Sequence, residues 1–394
     1  MTADLYPPEL LTELYEGDGL LAKIVDMPAE DAAGTGIAFE GISREAAAYY
    51  ERQLDLLEWR KTAATAIKWQ RLFGGAVVVV LADDGGKIGE PLNLQTVQRV
   101  DGLLVFDAAH VLPRMDREGN PESFSVQTGH ISFDVHPSRC LLFRSDPLPE
   151  LADNPISGFF GSPLYVKIRK ELEDVHKMQG MPRRLLERLS QAVYKIDGLS
   201  SMLSTEQGTA ELQRRMEAVD ISRGLYSTAI IGEGDEYKQA TAPGALTEAA
   251  AVINTPWPML SAVTSIPPPM LAGTSVLDPQ AQPFDGIHDD TSPELYSSFI
   301  KEIQVQQIQP ALQRLFKIIG RAGVAAGALD KLEPVQIRFN PLYPAQAVEK
   351  AENDLKAAQA ALTRAQTVKQ YVDAGVMTAE EARRIYRERG KKNC

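Results

Sequence analysis

Two cysteines, Cys140 and Cys394, are all that the 394 residues contain. That number excludes a disulfide framework and a four-cysteine zinc site, and both thiols are expected to be reduced. Long apolar runs are missing too. The longest, Ala76 to Ala82, is far below the roughly 20 residues that span a bilayer. The opening MTADLYPPELLTELYEGDG lacks the basic start and apolar stretch of a secretory signal. Neither export nor a membrane partner is expected. Positive charge is in deficit, with 41 Lys and Arg against 53 Asp and Glu and a formal net charge of −12. Conventional nucleic-acid binders hold DNA by neutralising phosphates, and a chain that repels phosphate overall is not one of them.

What is present is globular. The 44% hydrophobic and 24% charged shares sit near folded-protein averages, and the length allows two or three domains. Residues 1–42 are expected to be extended with short helical pieces, because Pro7, Pro8 and Pro28 interrupt them and Gly34, Gly36 and Gly41 follow. Ser43 is an N-cap candidate ahead of Ala47, Tyr50, Leu54 and Leu57 at helical spacing. A helix from Thr62 to Phe73 should stop at Gly74-Gly75, and AVVVVLADDGG reads as a buried strand, Ala76 to Ala82, closed by a turn. Shorter strands are expected at Leu103 to Asp107, Phe124 to Thr128, Ile131 to Val135 and Cys140 to Phe143. Helices should follow from Pro163 to Glu217, then strands at Leu225 to Ile231 and Glu236 to Gln239. The prolines at 256, 258 and 267–269 predict irregular structure.

The last third is patterned differently. Ser292 caps a helix whose Val305, Ile308, Leu312, Leu315 and Ile319 form a 3,4,3,4 seam, with a kink or break expected near Gln306 because of Pro310. Gly320 to Gly327 reads as flexible and PVQIRFNPLYP as a short strand. In that strand Gln336, Arg338 and Asn340 alternate with Val335, Ile337 and Phe339, one set outward and one toward a partner sheet. A second long helix, about Ala345 to Ala374, repeats the seam through Leu355, Ala358 and Leu362. Gly375-Val376-Met377-Thr378 and a short helix to Arg389 end the pattern. The fold class is α+β: a mixed α/β body followed by two long helices flanking a small strand module. That module is too small to bury both seams, so Ile308, Leu312, Leu315, Leu355, Ala358 and Leu362 are expected to pack on neighbouring copies. A head-to-tail contact of that kind closes into a ring when the rotation fits.

No catalytic, metal or cofactor site is expected. FGGAV at 73–77 lacks the Gly-Lys-Ser/Thr of a phosphate loop and follows a helix rather than a strand. Two His-x-Ser triplets, at His130 and His136, are the unit of two-histidine phosphoesterases, but such enzymes face the triplets across a cleft, and here they lie on one strand or its turn. His136, Ser138 and Arg139 read instead as a polar cluster pinning a turn. His288, Asp289 and Asp290 suit a helix N-terminus better than a metal. Arg383, Arg384 and Arg387, with Arg389, Lys391 and Lys392, are the one basic concentration. They read as a solvated face or as a modest, salt-sensitive contact with DNA or a capsid partner.

The segments RLFGGAVVVVLADD at 71–84, HPSRCLLF at 136–143, FFGSPLYVKI at 159–168, SIPPPMLAGTS at 265–275, ELYSSFIKEIQVQQIQPALQRLF at 294–316, IRFNPLYP at 337–344 and DAGVMTAEEARR at 373–384 occur in an order and spacing that resembles the portal proteins of tailed bacteriophages, the head-to-tail connectors. The resemblance implies a wing over 1–290, a first stem helix over 291–319, a clip over 320–343 and a second stem helix over 344–374. It places a tunnel loop at Gly375, Val376, Met377 and Thr378 within 375–394, with a crown short or absent. It implies a non-enzymatic protein that assembles with itself as a ring, usually a dodecamer, at one capsid vertex of the virion after assembly in the host cytoplasm. Double-stranded DNA would pass through it without sequence specificity during packaging and ejection, along an acidic or neutral lining. The clip surface Gln336, Ile337, Arg338, Phe339 and Asn340 would dock the terminase large subunit and then the head-tail adaptor or neck proteins, and major capsid and scaffold proteins would be further partners. The alternatives are another head-tail adaptor or minor capsid protein and, further off, a two-histidine cyclic-nucleotide phosphoesterase.

Overall fold

The structure, a computed structural model, describes residues 6–129, 131–146, 155–179, 192–195, 203–222, 236–239, 255–272, 292–343 and the single positions Leu355 and Gln359. The chain divides into two compact units, Met1–Ile24 with Pro163–Pro293 and Val25–Ser162 with Glu294–Cys394. The range 1–290 expected for the wing contributes to both units. Among the described residues no helix is long and apolar enough to cross a membrane.

The N-terminal segment is more regular than its prolines suggest. Helices α1 (Pro8–Gly17) and α2 (Gly19–Gly34) occupy it, and Pro28 lies inside α2. An interior proline costs about 3 kcal/mol. Burial of Leu21, Ile24, Val25, Ala29 and Ala32 along one side outweighs that cost, and Asp18 fixes the start of the helix by accepting the Leu20 and Leu21 amides.

In the unit built on Val25–Ser162, strand β1 (Ile37–Glu40) leads to α3 (Arg44–Leu56), where Ser43 Oγ accepts the Ala46 amide at 3.2 Å. Helix α4 (Trp59–Phe73) ends at Gly74, φ 91°, whose N–H donates to the Gln70 carbonyl. Glycine adopts that left-handed cap without a Cβ penalty. Gly75 is required for space: a Cβ there would lie 2.3 Å from the Phe160 ring. Strand β2 (Gly75–Asp83) is the centre of an antiparallel sheet with β3 (Arg99–Asp107) on one side and β7 (Cys140–Arg144) on the other. A second antiparallel sheet holds β4 (Val111–Met115), β5 (Pro121–Thr128) and β6 (Ile131–Val135) in sequence order. Val77 and Val79 of β2 join Val111, Phe124, Val126, Val135 and Phe160 in one buried cluster between the sheets, while α4 packs on β2 and β3. Each fully buried valine or phenylalanine contributes about 1.5–3 kcal/mol. Sequence alone did not reveal β4, whose Pro113 is tolerated because β4 is an edge strand.

The C-terminal helix departs from expectation twice. Helix α10 (Ser292–Ile303), a π turn at Gln304–Ile308 and α11 (Gln309–Ala325) are continuous. The expected break near Gln306 is thus absorbed rather than made: the Gln309 N–H bonds the Gln304 carbonyl five residues back, and Pro310 falls in the first turn of the next run, where its missing N–H does least harm. Nor is the helix loosened at Gly320. A Cβ there would lie 2.5 Å from both Tyr50 Oη and Leu332, and one at Gly323 would lie 2.8 Å from the Tyr49 ring. Those glycines serve close packing, so the helix runs on to Ala325.

Between the two halves of that unit, α5 (Pro155–Phe160) supplies Phe159 and Phe160 to the core. The other unit contains α6 (Leu164–Gln179), the strand pair β8 (Ala192–Lys195) and β9 (Glu236–Gln239), α7 (Glu206–Ser222), α8 (Pro256–Thr264) and α9 (Pro268–Ala272). Helices α6 and α8 pack together. The prolines expected to forbid regular structure here stand at helix starts, Pro256 at the beginning of α8 and Pro268 at that of α9, positions that lose no intrahelical hydrogen bond. The strand expected at Leu225 to Ile231 lies outside the described residues.

Candidate functional site

The expected docking strand exists as β10 (Gln336–Phe339). It pairs antiparallel with β1, Ile37 opposite Phe339 and Glu40 opposite Gln336, and the Asn340 amide donates to the Gly36 carbonyl at 3.2 Å. The alternation is as read from sequence: Gln336, Arg338 and Asn340 are exposed and Ile337 and Phe339 half-buried. Arg338 Nε lies 3.1 Å from Glu40. Phe39 on β1 meets Phe316 at 5.6 Å between ring centroids, tying the strand pair to α11. One edge of β10 is thus filled by the chain's own β1 in a two-stranded sheet, and residues 320–343 belong to the unit built on Val25–Ser162.

The seam is corrected as well. Ile308, Leu312 and Leu315 are at most 2% exposed within the single chain, and α11 packs on α3, β3 and β7. They are spent on the chain's own core and are not available to a neighbouring copy. Leu355, helical and 59% exposed, is open. Ala358, Leu362, Gly375, Val376, Met377, Thr378, Arg383, Arg384 and Arg387 lie outside the described residues, as do His288, Asp289 and Asp290.

An open apolar face occurs instead on α8. Trp257, Leu260 and Thr264 are buried on one side, whereas Met259 is 60% and Val263 42% exposed, with Ala262 exposed between them. Residues 259, 262 and 263 share one helical face. The spacing is legible in PWPMLSAVT once the prolines are taken as a helix start.

The His-x-Ser region is a turn held by hydrogen bonds. His136 Nδ1 accepts the Ser138 amide at 3.1 Å and lies 2.8 Å from Ser138 Oγ. Burial, then the charges of Arg139 and Arg314, hold this imidazole below its ordinary value, so the ring is kept neutral and acts as an acceptor. Ser138 Oγ accepts the Leu92 amide, and Arg139, 2% exposed, binds both Asp84 oxygens at 2.8 Å and the Glu90 and Ala82 carbonyls. Asp84 also accepts the Gly86 and Asn93 amides. Burial pushes the Asp84 carboxyl up, but these hydrogen bonds and the guanidinium charge outweigh it and hold the group below the usual carboxylate range. The cluster therefore anchors the loop 84–98 between β2 and β3. The histidine of the other triplet, His130, lies outside the described residues.

Other buried polar groups are likewise structural. Tyr296 Oη donates to Asp31 at 2.6 Å, and Gln304 donates to the Ala32 carbonyl and to Thr35 Oγ1, fixing the π turn against the end of α2. The Arg71 guanidinium stands 5.8 Å from the Phe299 centroid, and burial brings it down to about 10, still charged at neutral pH. Cys140 is buried and its thiol is pushed up to about 12, which keeps it inert. Among the described residues no group of three or more His, Cys, Asp or Glu side chains is placed to hold a metal ion.

Comparison with known proteins fits this arrangement. The chain is 24% identical over 383 residues to the anti-CBASS protein Acb1 of Sphingomonas paeninsulae, covering 92% of this chain and 57% of that protein. It is 20% identical over 374 residues to Acb1 of Caulobacter sp. strain RHG1, covering 88% and 56%. The chain thus spans little more than half the length of these curated relatives. Among solved structures, the neck of a native gene transfer agent particle computed with C12 symmetry matches over 89% of both chains at 14% identity and a TM-score of 0.51, and the neck of the empty particle computed with C6 symmetry matches over 87% at 0.53. These likenesses are of fold: a mixed α/β chain built like a protein of a particle neck. The profile of phage portal proteins matches residues 10–363, nearly the whole chain, and the chain belongs to the phage portal protein family.

Proposed function

We propose that the protein forms a ring, a dodecamer, at one vertex of a phage-type capsid, through which double-stranded DNA enters and leaves. The observation that carries this reading is the family match over residues 10–363. The ring contact is assigned to the open face of α8, Met259, Ala262 and Val263, in place of the seam that α11 buries. The stem and clip are reassigned with it. Helices α6 and α8 pack together and flank residues 180–254, which carry the β8–β9 pair. Two helices flanking a small strand module are what the stem and clip require, and β10 is instead built into a sheet with β1. Residues 180–254 are accordingly the proposed dock for the terminase large subunit and, later, for head-tail adaptor and neck proteins. Gly375 to Thr378 remain the proposed narrow collar.

The mechanism is electrostatic. Every neutralised phosphate adds affinity, which in a conduit acts as drag, and a chain of net charge −12 avoids it. Images of the purified protein should show an annulus with a central hole. A population of compact monomers at micromolar concentration, without annuli, contradicts the reading.

The relatives named for an anti-CBASS role match this chain over little more than half their length, and the His136 turn is built for anchoring. The reading favoured for this chain is therefore the structural one, without the activity in that name. Incubation with cyclic nucleotides should give no turnover, and hydrolysis abolished by His136→Ala would reinstate the phosphoesterase reading.

A further inference from the structure

Beside the turn between α3 and α4 lies a groove of about 580 Å3 that the proposed channel and docking roles leave unused. Its floor is apolar, with Leu54, Trp59, Ile308 and Leu312 at the base and half-buried Phe339 on one wall. Its rim is charged. Exposed Glu51, Asp55 and Glu58 stand there beside Arg60 and Lys61. Glu51 and Asp55 are one helical turn apart and share a face. Among the described residues neither pairs with a cation, and Glu58 reaches only the exposed Lys61 at 3.3 Å. Glu58 is also held at φ 48° and ψ 41°, a left-handed conformation that costs a non-glycine residue about 1–3 kcal/mol. Glycine or asparagine would serve the turn better; a glutamate there adds a third carboxylate to the rim.

We propose that this groove seats the basic C-terminal segment of the chain, Arg383–Lys392. That segment holds Arg383, Arg384, Arg387, Arg389, Lys391 and Lys392, the one basic concentration in an acidic sequence. Ile385 and Tyr386 lie in its midst and supply apolar side chains for the floor, and Glu380 and Glu381 just ahead of it answer Arg60 and Lys61. The size fits, since cavities of about 300–1,000 Å3 enclose groups of a few large side chains. The path fits as well. Phe339 forms a wall of the groove, so the chain leaves β10 beside it, and the roughly 40 residues from Tyr343 to Arg383 are ample to return. A segment seated there has its cations matched by the rim and is withdrawn from DNA.

The test uses the full chain carrying Asp55→Cys. Cys394 lies two residues beyond Lys392 and is a native reporter, while buried Cys140 does not compete. Mild oxidation should give a 55–394 disulfide, read by peptide mass mapping, in at least about tenfold excess over the link formed by a control cysteine replacing exposed Glu122. Equal linkage at the two positions overturns the proposal. A second variant, Glu51→Gln with Asp55→Asn and Glu58→Gln, should expose the segment to trypsin and speed cleavage within Arg383–Lys392 about tenfold, as three weak surface pairs together predict. An unchanged cleavage rate in a protein of unaltered circular dichroism also overturns it. Mixed light and heavy chains then report the origin of the segment: linkage within one copy supports the seat, and linkage only between copies overturns it. Because annuli are imaged independently of the disulfide, failure of the seat is distinguishable from failure of the portal reading.

Discussion

In the unit containing Val25–Ser162, Ile308 of the π turn and Leu312 and Leu315 of α11 are buried inside the chain, and of the seam only Val305, ahead of them, is exposed at 47%. In the unit containing Pro163–Pro293, α8 buries Trp257 and Leu260 on one side and leaves Met259 and Val263 exposed on the other. Both helices are amphipathic, yet α11 buries Leu312, Leu315, Phe316, Ile318 and Ile319 against its own chain, which α8 does not do with Met259 and Val263. Sheets β3-β2-β7 and β4-β5-β6 supply that surrounding core, whereas α8 has α6 as its packing partner and keeps a face free. An apolar face left open on a folded body suits an association surface, and the ring contact proposed at Met259, Ala262 and Val263 rests on this difference.

Substitutions can break that comparison at either end. The largest loss is expected from Arg139→Ala, which strands the Asp84 carboxylate in the interior; breaking a buried pair costs about 3–5 kcal/mol, read as a lowered midpoint in urea unfolding. Leu312→Ala comes next at about 2–5 kcal/mol, because it empties a packed core site, and the molecules that stay folded should assemble as before. Acid should act in two stages. His136 is held below its ordinary value of 6.5, so its contribution is complete above that pH and is lost as the pH falls through the depressed folded value. Asp84 is held below 3.8, so its contribution is present above that value and disappears at still lower pH. A stability profile by chemical denaturation should slope gently below pH 6.5 and steeply below 3.8, and His136→Gln should remove the first slope alone. Arg338→Ala sharpens the comparison from the small end. Its pair with Glu40 is exposed on both sides, and such pairs are worth about 0.2–1 kcal/mol, so thermal melts should barely move.

Much of the wing was legible from residues. AVVVVLADD could only be a buried strand, Ser43 and Gly74 could be recognised as the start and stop of helices, and the strand Ile131–Val135 agrees end to end. The failures share a cause. Pro28, Pro256 and Pro268 were read as breakers by local propensity, and Gly320 and Gly323 as flexible, but tertiary packing decides whether a proline falls at a helix start and whether a glycine marks a close approach. The pairing of β10 with β1, some 300 residues apart in the chain, has no local signature. Without it, Gln336 to Asn340 looked like a module awaiting a partner, and the seam of α11 looked unburied. The seam pattern said that a face must be covered; it did not say by whom.

The most direct measurement is the assembly mass of two variants at equal concentration, by mass photometry. Met259→Asp with Val263→Asp touches exposed positions and should leave folding stability within about 0.5 kcal/mol per site while reducing the wild-type annulus to free subunits. Leu312→Ala should melt earlier and still give the full annulus mass. Full rings from the Met259 and Val263 variant, or ring loss from Leu312→Ala in a protein that remains folded, would contradict the proposed ring contact on α8.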